Sequence, residues 1–75
     1  MTVKQLLGAC QQQIARGNGN KEVFVAKDEE GNEFVPLYYE FTDSKDDIDA
    51  YISMGVVRFD KSTESTTSND IVLLG

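Results

Sequence analysis

The 75-residue chain has no histidine and no tryptophan, one cysteine and one proline. Without histidine there is no Ser-His or Cys-His pair, and the commonest general base is missing. The single cysteine, Cys10, excludes an internal disulfide and any cysteine-rich zinc site. Lacking both staples, a chain this short must rest on apolar packing, to which self-association can add. A lone thiol suits a reducing cytoplasm better than secretion. No apolar run approaches the ~20 residues of a membrane span. The start, MTVKQLLGACQQQIARG, is too polar after Cys10 for a signal peptide. Positive charge is scarce: seven Lys and Arg face thirteen Asp and Glu, a net charge of −6. That balance argues against direct binding to nucleic acid, which relies on many basic contacts to phosphate.

The acidity is concentrated. Between Asp28 and Asp49 stand nine acids (Asp28, Glu29, Glu30, Glu33, Glu40, Asp43, Asp46, Asp47 and Asp49) against one base, Lys45. Around this middle third the chain reads as alternating elements. Val3, Leu6, Leu7, Cys10 and Ile14 mark one helical face. Thr2 and Gln5 have the spacing of a capping box, and Met1 can staple against Leu6. Gly17, after Arg16, has the character of a residue that ends a helix with positive φ. Cys10 falls on the apolar face, where it acts as a small hydrophobe.

The connector RGNGNK favours tight chain reversal. It lacks the third glycine and the strand-loop-helix order of a dinucleotide fingerprint. Glu22–Ala26 and Phe34–Phe41 are β-branched and aromatic, hence strands. Pro36 within the second implies an exposed edge or a bulge. Thr42–Gly55 reads as a short second helix, capped by Asp43 or Ser44 and carrying Ile48, Tyr51 and Ile52 on one face. Val56–Phe59 is a weaker extended segment. Residues 60–70, DKSTESTTSND, hold no apolar side chain and read as a mobile polar loop. IVLLG closes the chain as an unbroken apolar strand, the pattern of a covered central position.

The expected fold is α+β, a single small domain over residues 1–75. Its N-terminal helix packs on a three- to four-stranded, mainly antiparallel sheet, with a short second helix, in the order α-β-β-α-(β)-β.

The segment KDEEGNEF admits three readings. As punctuation it is a hairpin turn, with Gly31 and Asn32 best suited to positive φ. As a calcium loop it fails: counted from Asp28, glycine stands fourth rather than sixth, and Tyr39 holds the twelfth place that requires Glu. As an acidic surface it could act with the start of the second helix to steer a basic partner. The candidate partner-binding residues are Asp28, Glu29, Glu30, Glu33, Tyr38, Glu40, Asp43, Asp46 and Asp47. No residue is assigned a catalytic, cofactor or metal role, and no cofactor is expected.

The runs MTVKQLL, GNGNKEV, AKDEEGNEF, LYY and IVLLG together resemble small uncharacterised proteins encoded by phages and prophages of Gram-positive bacteria. The resemblance spans nearly the whole chain, except DKSTESTTSND. That family carries no assigned activity, so no functional residue carries over. The resemblance implies a place in the bacterial host cytoplasm and an accessory role directed at a host protein. The expectation is a non-enzymatic interaction module with a host or phage protein as partner. Self-assembly, through a homodimer, is the alternative, and a weak divalent-ion site at residues 28–33 a third.

Overall fold

The computed structural model describes all residues, 1–75. The architecture is α+β, with two helices and four strands in the order α-β-β-β-α-β. Two compact units make up the chain, Met1–Leu37 and Tyr38–Gly75. The strands are antiparallel, as expected, but they form two two-stranded sheets rather than one sheet.

In the first unit, α1 runs over Val3–Ala15. The capping box forms: the Gln5 amide donates to Thr2 Oγ1 at 3.1 Å, and the Thr2 amide donates to Gln5 Oε1 at 2.8 Å. The far end closes as a Schellman motif. Gly17 takes φ 86°, its N–H donates to the Ile14 carbonyl, and the Asn18 N–H donates to the Gln13 carbonyl. The expected apolar face is present but uncovered. No residue of α1 is buried, Ile14 is 63% exposed, and Cys10 is exposed rather than internal. The staple does not form either, since Met1 is 91% exposed.

Strands β1 (Phe24–Ala26) and β2 (Phe34–Pro36) form a hairpin that pairs Phe24 with Pro36, Val25 with Val35 and Ala26 with Phe34. Flanking bonds run from the Lys27 N–H to the Glu33 carbonyl and from the Leu37 N–H to the Val23 carbonyl. The alternation makes Phe24–Pro36 a non-hydrogen-bonded pair. The missing N–H of Pro36 therefore faces away from β1, and proline fits without a bulge. The expected strand to Phe41 stops here for a physical reason. In this register Tyr39 would pair with Lys21, whose N–H already closes a turn onto the Asn18 carbonyl.

In the second unit, β3 (Phe41–Thr42) pairs with β4 (Leu73–Leu74). Between them α2 spans Lys45–Ser53, shorter than the expected 42–55. Ser44 is its N-cap, without a side-chain bond, and Asp46 and Asp47 lie in its first turn, where the helix dipole favours them. A second Schellman motif ends it: Gly55 has φ 74° and donates to the Ile52 carbonyl, while Val56 donates to the Tyr51 carbonyl. This explains why residues 56–59 form no strand. The Val56 amide is consumed by the helix end, and an Asp60-centred turn follows at once. The closing apolar run is not a central strand. Only Leu73 and Leu74 pair, in a sheet whose strands each keep an open edge. Ile48 is the one buried hydrophobic side chain, 1% exposed.

Candidate functional site

The acidic hairpin is built from its first residue. Asp28 Oδ1 accepts from the backbone N–H of Glu30 at 3.1 Å, of Gly31 at 2.9 Å and of Asn32 at 3.4 Å. One carboxylate oxygen thus gathers the amides of the whole turn, the arrangement for which aspartate is suited. Gly31 takes φ 67°; Asn32 keeps negative φ, contrary to expectation. Its side chain instead donates to Glu30 Oε2 at 2.9 Å. Glu33 lies 3.6 Å from Lys27 Nζ in an exposed pair that contributes little to stability.

Of the nine candidate partner-binding residues, Asp28, Glu29, Glu30 and Glu33 therefore share this turn, and Asp28 is occupied in holding it. Glu29 makes no hydrogen bond or ion pair. Tyr38, Glu40, Asp43, Asp46 and Asp47 belong to the second unit, and all are exposed. The hairpin carboxylates do not converge as an ion site; no group of three or more potential ligands is placed to hold a metal.

At the base of the turn the hairpin carries Phe24, Ala26, Phe34 and Pro36 on one face, by alternation from the observed pairing. Phe24 is 55% exposed and Phe34 59%. An acidic tip thus continues into an aromatic face within one hairpin. Tyr38, the one aromatic among the candidate residues, is 82% exposed and belongs to the second unit.

The second unit has a feature not foreseen from sequence. An open groove of about 470 Å³ is lined by Tyr51, Val56, Val57 and residues 72–75. The helix-ending motif places Val56 beside Tyr51, because the C″ residue returns to the turn that supplies its carbonyl. A clue lay in VV after Gly55 and in the closing IVLL.

Charge pairs in this unit are superficial. Lys45 Nζ bonds Asp49 Oδ2 at 2.7 Å, which raises the lysine pKa. The same bond, with a contribution from Ser68, lowers that of Asp49. Asp60 Oδ1 accepts from the Ser62 hydroxyl at 2.6 Å and the Thr63 hydroxyl at 3.0 Å, and these bonds lower its pKa as well. A lowered carboxylate pKa contributes stability above the unfolded value, near 3.8, that is lost as pH falls through the folded value. The 60–63 turn is therefore expected to loosen on acidification below pH ~4. Amide exchange at Ser62 should rise there, relative to its intrinsic rate, and rise less in Asp60→Asn. Equal acid sensitivity in both proteins would refute it.

Comparison with family models, curated proteins and solved structures finds no match. No helix is long and apolar enough to cross a membrane. The first unit carries carboxylates around a hydrogen-bonded turn with exposed aromatic rings on the adjoining hairpin face, and the second unit carries an open apolar groove.

Proposed function

We propose that this chain is a small non-enzymatic protein-interaction module whose acidic hairpin binds a basic protein surface. The observation that carries the reading is the continuity, within one hairpin, of Glu29, Glu30 and Glu33 with the exposed Phe24 and Phe34 face. Aromatic side chains supply contact area, and a charged rim supplies steering and register. An accessory role against a host protein, as the phage resemblance implies, is part of this proposal.

Glu29→Lys, Glu30→Lys and Glu33→Lys combined are expected to abolish capture of a stoichiometric basic partner from bacterial lysate. Capture by the unaltered protein should fall steeply between low and high salt, as screening predicts. Asp28 stays in place, so circular dichroism should show the variant folded. Undiminished capture by the reversed hairpin would sink the reading.

Self-association is favoured by a separate observation. Val3, Leu7, Cys10 and Ile14 follow one another at spacings of four, three and four, and all four are exposed on α1. That is the stripe through which two helices pack. Sedimentation at rising concentration decides it: a monomer throughout excludes this reading and leaves the first standing.

A further inference from the structure

The connector after α1 holds a chemical feature that the interaction reading does not use. Four asparagines occur in the chain, and one of them, Asn18, precedes a glycine. Gly19 offers no Cβ to shield its backbone nitrogen. Its N–H donates to no backbone or side-chain acceptor. Lys21, after Asn20, donates its N–H to the Asn18 carbonyl at 3.1 Å, and Asp70, after Asn69, donates to the Thr67 carbonyl at 3.0 Å. Glu33, after Asn32, carries a side chain that crowds the same approach. Asn18 alone combines an unshielded neighbouring nitrogen with an unengaged one.

We infer that Asn18–Gly19 is a site of spontaneous covalent modification, deamidation through a cyclic imide. Hydroxide removes the Gly19 amide proton, and the nitrogen attacks Asn18 Cγ. The Cγ–Nδ2 bond breaks, and the side-chain nitrogen leaves as ammonia after taking a proton from water. Water then opens the five-membered ring at either carbonyl. One route gives aspartate; the other gives isoaspartate, with the main chain running through Cγ.

Both products disturb identified contacts. Asn18 Nδ2 donates to Gln13 Oε1 at 2.8 Å, and a carboxylate at position 18 has no proton for that bond. It also brings negative charge to the negative end of the α1 dipole. Isoaspartate moves the carbonyl that accepts from Lys21, opening the turn that leads into β1. The site is thus a slow, one-way loosening of the link between α1 and the hairpin.

The test incubates the intact protein at 37 °C across a pH series and digests it with trypsin. Cleavage after Arg16 and Lys21 releases GNGNK, which contains only Asn18 and Asn20. The expected result is a gain of about 1 Da in this peptide, located at Asn18 by fragmentation, with both aspartate isomers formed. The rate should rise with hydroxide concentration. Gly19→Val should slow it by about tenfold or more, because a β-branched side chain crowds the nitrogen. Gly19 does not hold positive φ, and a Cβ there would meet the Ile14 side chain at 3.5 Å, ordinary contact. Conversion at Asn20 or Asn32 as fast as at Asn18, or an unchanged rate in Gly19→Val, would overturn the inference.

Discussion

Ile48→Ala is expected to destabilise the protein by about 2–5 kcal/mol, the cost of truncating a fully buried aliphatic side chain. Ile48 is the one hydrophobic side chain withdrawn almost completely from solvent. A chain of this length has a stability on the order of 4–11 kcal/mol, from the usual range per residue. One substitution would thus remove a large share of the total. Thermal unfolding followed by circular dichroism should show the midpoint lowered by about 10–30 °C. Ile48→Val deletes one methylene and should cost about 0.5–1.5 kcal/mol. The graded pair separates loss of packing from general intolerance. Ile48→Ala melting like the parent protein would show that this residue is not what holds α2 in place.

Gly17→Ala and Gly55→Ala are each expected to cost about 1–2 kcal/mol, because an L-residue with a Cβ resists the left-handed region. Both glycines hold positive φ at the C′ position of a helix, and a Cβ at either would meet nothing within 4 Å. The loss would therefore come from the backbone alone, without a steric clash. Gly8 supplies the opposite sign. It lies inside α1, a Cβ there also meets nothing within 4 Å, and no positive φ is required. Gly8→Ala should stabilise by about 0.5–1 kcal/mol, through reduced freedom of the unfolded chain. Urea titrations of the three variants test the set. Equal effects at Gly8 and Gly17 would contradict the assignment of the helix end.

These positions also show how closely local structure followed from local sequence. Thr2 with Gln5, Gly17 after Arg16, and Gly55 after Met54 each specify a helix boundary through bonds that span at most five residues. The hairpin was legible in the same way, because Asp28 and Gly31 carry their turn within the segment that contains them. Such bonds need no distant partner, so residue type and spacing are enough to determine them.

Pairing and cover were different. Val35, Leu37, Tyr39 and Phe41 alternate as one long strand would. Yet the ladder stops after Leu37, since the chain opposite has already turned at Asn18–Lys21. Closing residues rich in Ile, Val and Leu have the composition of a central strand, but only Leu73 and Leu74 found a partner. An apolar stripe on α1 predicted burial for Cys10, and that face is open. In each case the side chains state a capacity to be covered without naming what covers them. Of the candidate acids, four were adjacent in sequence and stayed adjacent in the hairpin. Asp28 turned inward to its own backbone, a choice made by turn geometry rather than by charge.

The sequence by itself determined the α+β class, the glycine that closes each helix, the hairpin turn and the acidic middle third. Each of these is settled by short-range bonds or by composition. Only the tertiary structure decided that four strands form two separate pairs, that Ile48 is the buried side chain, and that the Phe24–Phe34 face lies open beside the acidic tip. Those outcomes depend on which distant segments meet, and alternation along one strand carries no record of its partner.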